Sequence, residues 1–136
     1  MTEDQSLRKL LIVDDDEDDR NYFIEAVSEI DSSILCVTAK DGQQAMEMLT
    51  NENLALPNII FLDLRMPKVN GRQCLARIKA DNRLSEIPVI VYTTSAEVAE
   101  ANSLQQFGAV RFVTKPGNTD EIYYVVSQAL EEMQKS

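Results

Sequence analysis

The chain has 136 residues, and its 23 acidic and 13 basic residues give a formal net charge of −10. That charge repels a phosphate backbone, so we expect no direct binding to nucleic acid. No apolar run reaches the ~18 to 20 residues that a membrane-spanning helix needs, and the polar stretch from Met1 to Lys9 is unlike a signal peptide. We therefore expect one domain over residues 1–136, with its core at about 9–133, in the cytoplasm and away from membranes.

Histidine is absent, and there are two cysteines. The lack of histidine excludes Ser-His-Asp and Cys-His catalysis, His-ligated zinc and a phosphohistidine carrier. Cys36 and Cys74 lie far apart, each within an apolar pattern. This placement favours buried free thiols over a disulfide or a metal site.

The first half of the chain alternates short apolar runs with amphipathic segments. The runs Lys9–Val13 and Ile34–Ala39 predict strands, because they are short and rich in branched residues. The first amphipathic segment carries a helical stripe of Phe23, Ala26, Val27 and Ile30, and the second carries Ala45, Met48 and Leu49 after a candidate N-cap at Asp41.

The second half repeats the alternation. It predicts strands at Ile59–Leu62, Val89–Tyr92 and Ala109–Val113, and helices with stripes of Cys74, Leu75 and Ile78 and of Ile122, Val126, Ala129, Leu130 and Met133. Asn118 is a candidate N-cap for the last of these helices. Between the last two strands, the fourth predicted helix at about 96–107 has few and small apolar positions.

Five strand–helix units in succession predict an α/β fold. Continuous apolar strands indicate a parallel sheet buried on both faces, with right-handed crossovers through the helices. The natural arrangement is the flavodoxin-like (βα)5 fold, with a five-stranded parallel sheet in the order 2-1-3-4-5. Such sheets place their sites at the carboxyl ends of the strands where the order reverses, here between strands 1 and 3.

Polar residues of complementary kinds follow four of the predicted strands. Strand 1 runs into Asp14 and Asp15, strand 3 into Asp63, strand 4 into Thr93, and strand 5 into Lys115. Neighbouring carboxylates repel one another, and a hard divalent cation such as Mg²⁺ relieves that repulsion. A carboxylate beside the ion can then act as a nucleophile and form an aspartyl phosphate, whose oxygens the lysine and the threonine hydroxyl would bind.

This arrangement resembles the receiver domain of two-component response regulators, in particular stand-alone receivers. The resemblance rests on the segments 11–15, 61–67 and 112–116, on Tyr92-Thr93 and on Gly71, and it extends over most of the chain, from about residue 9 to residue 133. It implies that Asp63 is the phosphoacceptor, phosphorylated in a Mg²⁺-dependent reaction. It also implies that Asp14, Asp15 and Asp63, with the backbone carbonyl of Arg65, hold the ion.

The resemblance further implies a switch. Thr93 and Lys115 would sense the phosphoryl group, and Phe112 would turn inward as Thr93 moves. The family also implies a cis peptide between Lys115 and Pro116, which proline makes chemically feasible. Such a protein is a phosphoacceptor that catalyses only its own phosphorylation and dephosphorylation. We expect Arg65 and Thr94 to tune the hydrolysis that resets it.

The partners follow from the same resemblance. The phosphoryl donor would be a sensor histidine kinase, a phosphotransfer protein or a small donor such as acetyl phosphate. Because the chain ends soon after the fifth predicted helix, we expect no output domain and a signal passed to a target protein or a homodimer partner. The surface for this would comprise the fourth helix, the fifth strand and the fifth helix, where Tyr123 and Tyr124 cannot both face the core.

Four other interpretations remain. Asp14, Asp16, Asp18 and Glu25 have the spacing of a calcium-binding EF-hand loop, although Asp19 stands where that loop needs glycine. A haloacid-dehalogenase-like phosphatase would need a second acid where Arg65 stands, and a flavin or nucleotide module would need a glycine-rich loop after strand 1. A degenerate receiver would act only as a phosphorylation-independent interaction module. For residues 16–19, the simpler interpretation is a solvated, acid-rich helix start.

Overall fold

The computed structural model describes residues 8–64, 70–94 and 108–135. Its five strands are β1 (Lys9–Val13), β2 (Leu35–Ala39), β3 (Ile59–Leu62), β4 (Val89–Thr93) and β5 (Arg111–Thr114). Its helices are α1 (Glu17–Ile30), α2 (Gly42–Leu49), α3 (Gly71–Ala80) and, after a short 3-10 turn at Thr119–Glu121, the last helix (Ile122–Lys135). The predicted fourth helix at 96–107 and the predicted metal ligand Arg65 lie outside the described residues.

The strands form one sheet in the order β2-β1-β3-β4-β5, and every neighbouring pair is parallel. The predicted fold and strand order are therefore confirmed. The order reverses between β1 and β3, which places their carboxyl ends side by side. At this point a crevice opens in a doubly wound sheet.

Two apolar layers cover the sheet, one on each face. Strand residues alternate between them, since successive side chains point to opposite faces. On one face, Leu11, Ile60 and Val89 belong to the cluster that contains the buried residues of α2 and α3. On the other, Leu10 and Ile59 belong to the cluster that contains those of α1 and the last helix. Burial on both faces explains why β3 is apolar at every position and β1 at every position after Lys9.

Each of α1, α2 and α3 begins after a side chain that accepts a backbone N–H, and so does the 3-10 turn before the last helix. Asp16 caps α1, and the predicted cap Asp41 accepts the amide of Gln44 at 2.8 Å to begin α2. Asn70 begins α3 and forms a reciprocal capping box with Gln73. The predicted cap Asn118 begins the 3-10 turn that leads into the last helix. These caps satisfy amides that have no partner within a helix.

The predicted strand limits are closest in the middle of the sheet. β1 and β3 have the predicted limits, β2 starts one residue later and β4 continues to Thr93. The fifth strand was predicted at Ala109–Val113 but pairs over Arg111–Thr114. Ala109 is buried in the core without belonging to the strand, after a turn in which Gly108 has a φ of 102°. An apolar run cannot distinguish such a core residue from a strand residue.

Two further predictions concern covalent chemistry. Cys36 and Cys74 are free thiols as predicted, half-buried and buried respectively, and burial raises the pKa of each thiol to about 12. The predicted cis peptide between Lys115 and Pro116 is wrong, because the described residues contain no cis peptide bond. Trans is the ordinary form even before proline, by about 0.5–1 kcal/mol. With the bond in trans, the Lys115 amide still donates to the Thr93 carbonyl at 2.7 Å.

Among the described helices, none combines the length and the apolar character that crossing a membrane requires.

Candidate functional site

The sheet register brings the predicted site residues to one edge. Val13 is paired with Leu62, so Asp14 and Asp63 follow directly from neighbouring strand ends. The Asp63 amide donates to the Val13 carbonyl at 3.0 Å, which extends the ladder by one step. Thr93 ends β4, paired with the residue that precedes Lys115. Chemistry-bearing side chains separated by up to about a hundred positions therefore converge at the carboxyl ends of four strands.

Asp63 is a buried carboxylate that contacts polar side chains at the ends of β4 and β5. Only 4% of the residue is exposed, and Thr93 is fully buried beside it. The Thr93 hydroxyl donates to Asp63 Oδ1 at 2.8 Å, and the Lys115 ammonium lies 3.3 Å from Asp63 Oδ2. Burying a charged carboxylate is costly without such partners. The structure thus brings these three predicted site residues into contact, and their roles stay predictions.

The Lys115 ammonium is surrounded by carboxylates. Its Nζ lies 2.6 Å from Asp14 Oδ2 and 3.0 Å from Asp19 Oδ2, in addition to the contact with Asp63. The lysine side chain is 13% exposed, while that of Asp14 is 1% exposed. Because both partners are withdrawn from water, the Asp14–Lys115 contact is an ion pair of the inner site rather than a solvated surface pair.

Burial and charge change two pKa values here. Burial raises the pKa of Asp14 to about 6, although hydrogen bonds from Lys115 and the Asp16 amide act in the opposite direction. Burial also disfavours the charged form of Lys115, but the hydrogen bond and charge of Asp14, with the charges of Asp63 and Asp19, outweigh it and raise the pKa of the lysine. The lysine therefore stays cationic at any physiological pH.

Three of the carboxylates could hold a metal ion together. Oxygens of Asp14, Asp15 and Asp63 all lie within 4.8 Å of one another, and Asp15 is exposed whereas the other two are buried. Hard oxygen ligands at this spacing suit Mg²⁺, which keeps part of its water shell, and the exposed Asp15 gives the cluster access to solvent. The donor set therefore fits a divalent cation. The predicted Arg65 carbonyl ligand is outside the described residues.

The start of α3 presses against the main chain of Asp63. A Cβ atom on Gly71 would contact the Asp63 carbonyl oxygen and lie 2.5 Å from the Cα atom of Leu64. The Gly71 amide donates to the Leu64 carbonyl at 3.2 Å. Glycine at this position thus permits the close approach of a helix to the candidate phosphoacceptor.

Three aromatic rings lie beneath the site. Phe23, Phe61 and Tyr92 are buried and in mutual contact, with ring centroids 4.8 to 6.1 Å apart. The Lys115 ammonium lies 5.9 Å from the centroid of the Tyr92 ring, at the outer limit of a cation–π contact. The three rings form an apolar floor of the site, and their mutual contacts pack α1 against β3 and β4.

The sequence did not reveal the roles of two residues in α1. Asp19, expected to be solvated, contacts Lys115 across 96 positions of sequence, and Arg20 donates to the Asp14 carbonyl at 2.8 Å. The EF-hand interpretation is wrong, because Asp16 caps a helix that already begins at Glu17 and a strand precedes it. A calcium loop of twelve residues has no room there.

The remaining predicted residues belong to β5 and the last helix. Phe112 is half-buried against the cluster of α2 and α3. Tyr123 and Tyr124 are 36% and 71% exposed and contact each other edge-to-face at 5.3 Å, so the expectation that at least one lies on the surface is confirmed. Arg111 of β5 and Glu132 of the last helix form an ion pair at 2.9 Å.

The fold is shared with known proteins. Residues 10–127 match the response regulator receiver domain family. Response regulator Rcp1 of Synechocystis sp. (strain ATCC 27184 / PCC 6803 / Kazusa) is 33% identical over 86% of this chain and 82% of its own length. Several other curated relatives are longer, and the chain spans only 34% to 49% of their length.

Solved structures give the same picture. The phosphorylated cyanobacterial phytochrome response regulator RcpA superposes with a TM-score of 0.84 at 30% identity, covering 96% of each chain. The Mn²⁺-bound form of response regulator Rcp1 superposes with a TM-score of 0.81 at 30% identity, covering 92% of each chain.

Proposed function

The chain belongs to the response regulator receiver domain family, and on that premise we propose that it is a phosphorylation switch whose phosphoacceptor is Asp63. The observation that carries the proposal is the environment of the Asp63 carboxylate. One of its oxygens accepts the Thr93 hydroxyl, and the other faces the Lys115 ammonium. A cation and a hydroxyl donor are the groups that bind the oxygens of a phosphoryl group.

The proposed reaction is a phosphoryl transfer between two molecules. An Asp63 oxygen attacks the phosphorus atom of a donor, so that an O–P bond forms as the bond from phosphorus to the donor's histidine nitrogen, or to acetate, breaks. Asp14, Asp15 and Asp63 would hold Mg²⁺, and the bound ion supplies positive charge against the phosphoryl oxygens. Lys115 contributes a second positive charge. A later attack by water on phosphorus releases phosphate and restores the carboxylate.

We further propose that Thr93 and Lys115 transmit the phosphorylated state together. The Lys115 amide donates to the Thr93 carbonyl, so a backbone hydrogen bond joins the ends of β4 and β5 next to the site. A phosphoryl group that attracts both side chains would shift the equilibrium between two arrangements of this edge. Phe112 lies in β5, the strand that ends just before Lys115. A movement of this side chain would transmit the change to the surface formed by β5 and the last helix.

The proposed donor is a sensor histidine kinase or a phosphotransfer protein, because this chain has no histidine of its own. RcpA is a phytochrome response regulator, so a phytochrome-type kinase is the first donor to test. The proposed receiver of the signal is a target protein or a second copy of the chain, bound at β5 and the last helix. The cytoplasmic location expected from the sequence stays a prediction.

The test is intact-mass analysis after incubation with acetyl phosphate. We expect the wild type to gain one phosphoryl group when Mg²⁺ is present, and to gain much less in EDTA. Asp63→Asn should gain none. Asp41→Asn is the matched control, since Asp41 is another buried carboxylate after a strand of the same sheet, and asparagine preserves its cap. This variant should be labelled like the wild type.

Two results would contradict the proposal. Labelling of Asp63→Asn to the wild-type level would place the phosphoryl group elsewhere. Equal labelling with and without metal would show that the acid cluster plays no part in the reaction. A wild type that is not labelled at all, by acetyl phosphate or by any kinase, would instead favour a receiver that binds partners without phosphorylation.

A further inference from the structure

Among the described residues, the Lys115 ammonium has one carboxylate partner outside the metal cluster. Asp14 and Asp63 are members of the cluster, whereas Asp19 is not. Asp19 lies in the first turn of α1, where its amide donates to the capping side chain of Asp16 at 3.0 Å. Its position is therefore fixed by the helix start, and its half-exposed side chain reaches the lysine from the solvent side of the site.

Binding of a cation at Asp14 disturbs the present arrangement. Both oxygens of that carboxylate are engaged, since Oδ1 accepts the Asp16 amide and Oδ2 lies 2.6 Å from the Lys115 ammonium. A divalent cation at Asp14 would repel the ammonium and compete with it for the carboxylate. The lysine must therefore lose its shortest contact, the one with Asp14, before all three carboxylates of the cluster can bind a cation.

We propose that Asp19 is a positioning residue that retains the Lys115 ammonium when a divalent cation occupies Asp14, Asp15 and Asp63. This inference rests on the function proposed above. The ammonium already lies 3.0 Å from Asp19 Oδ2 while it is 3.3 Å from Asp63 Oδ2, so contact with Asp19 is compatible with contact at the phosphoacceptor. Asp19 thus leaves the Asp14 carboxylate available to the metal ion while the lysine stays close to Asp63.

The alternative is that Asp19 acts only through its charge. Any carboxylate near an acid cluster increases its attraction for cations, whatever it touches. Asp18 provides the comparison, because it carries the same charge in the same helical turn and its side chain is exposed. A role that depends on contact with Lys115 must appear in Asp19 variants and not in Asp18 variants.

The experiment measures Mn²⁺ binding to the full chain from the electron paramagnetic resonance signal of the free ion, with Mg²⁺ as a competitor. We expect Asp19→Asn to weaken binding of both ions about fivefold more than Asp18→Asn does, which corresponds to a partly buried ion pair of ordinary strength. In a Lys115→Met background the two asparagine variants should bind equally, because no ammonium remains to be held. Lys115→Gln is a second background in case the first does not fold.

Unfolding in urea without metal checks that both variants fold. Asp19→Asn should be at most slightly less stable than Asp18→Asn, because its ion pair with Lys115 is partly exposed and Asp14 and Asp63 still contact the ammonium. Equal metal affinities of the two single variants would overturn the inference, and so would a difference that persists without Lys115. Neither result touches the proposed function, which fails only if the wild type binds no divalent ion or Asp63 is not phosphorylated. In that case the inference fails with it.

Discussion

Gly71 sets how closely α3 can approach Asp63. The atoms that a Cβ would meet belong to the main chain of Asp63 and Leu64, which cannot rotate away as a side chain can. Relief would require the helix or the end of β3 to shift by several tenths of an ångström. The absence of a Cβ atom at Gly71 is therefore required for the observed position of Asp63, the candidate phosphoacceptor.

We expect Gly71→Ala to lower the free energy of unfolding by about 2 to 3 kcal/mol, as an overpacked contact does. Gly117→Ala is the control, since a Cβ there meets nothing within 4 Å and should change stability by less than about 0.5 kcal/mol. Urea denaturation followed by circular dichroism measures both. Equal stabilities of the two variants would show that the α3 start has room to adjust.

Asp14 should make the stability of the metal-free protein depend on pH. Burial raises the pKa of its carboxyl from the ordinary 3.8 to about 6, so the folded state favours the protonated form. Its stabilising contribution is then complete below pH about 4 and is lost as the pH rises through 6. Asparagine, which does not titrate, removes this dependence.

The predicted observation is a pH-dependent difference between the wild type and Asp14→Asn in EDTA. Between pH 4 and 7 the wild type should lose roughly 1 to 2 kcal/mol of unfolding free energy relative to the variant. Urea titrations at four or more pH values measure it. The absolute stability of the variant is immaterial, because only the slope of the difference is diagnostic. A flat difference would mean that Asp14 remains ionised throughout this range.

Sequence patterns identified most of the site at the residue scale, because the acids, the threonine and the lysine each follow an apolar run. Asp19 escaped this reasoning. Its partner is 96 positions away, and its place at a helix start already had a sufficient local explanation in the helix dipole. A tertiary contact of this kind leaves no trace in the residues on either side.

At the scale of secondary-structure elements, the periodicity of apolar residues predicted which elements exist and their order better than it predicted where each element begins and ends. β1 and β3 are buried on both faces and pair on both sides, so their apolar runs coincide with their ladders. β5 is an edge strand, and there the apolar run began with two residues that precede the pairing, the buried Ala109 and the exposed Val110. The caps were easier, because a side chain that accepts an amide three residues later is a local property.

The Asp41 cap offers a test at this scale. Asp41→Ala removes the acceptor of the Gln44 amide in a site that is only 5% exposed, and we expect a loss of about 1 to 2 kcal/mol. Asp41→Asn keeps an acceptor of similar geometry and should cost much less. Urea denaturation of both variants decides the matter. Similar losses would indicate that the charge, rather than the hydrogen bond, stabilises the start of α2.

For the molecule as a whole, the sheet order was predictable because five apolar runs alternating with amphipathic segments leave few ways to bury both faces of a sheet. The two apolar layers realise that arrangement. The isomer of the bond before Pro116 was not predictable in this way. Proline permits both forms, and the surrounding fold selects between them.

Metal binding should be visible in the stability of the whole domain. An ion that binds only the folded state stabilises it by about 2.7 kcal/mol when its concentration is 100 times Kd. We expect this gain for the wild type in Mg²⁺, measured by urea denaturation, and little of it for Asp15→Asn. Because Asp15 is exposed, the variant should match the wild type in EDTA. Full stabilisation of Asp15→Asn would place the ion elsewhere.

The aromatic floor has an optical consequence. The chain contains no tryptophan and four tyrosines, of which Tyr92 is buried while Tyr22, Tyr123 and Tyr124 are exposed. The buried ring lies 5.9 Å from the Lys115 ammonium, which also contacts the candidate phosphoacceptor Asp63. A change of charge at Asp63 that moves this ammonium therefore alters the electric field on a phenol chromophore. Near-ultraviolet difference spectroscopy can thus follow the site in the unlabelled protein, with Tyr92→Phe as the blank.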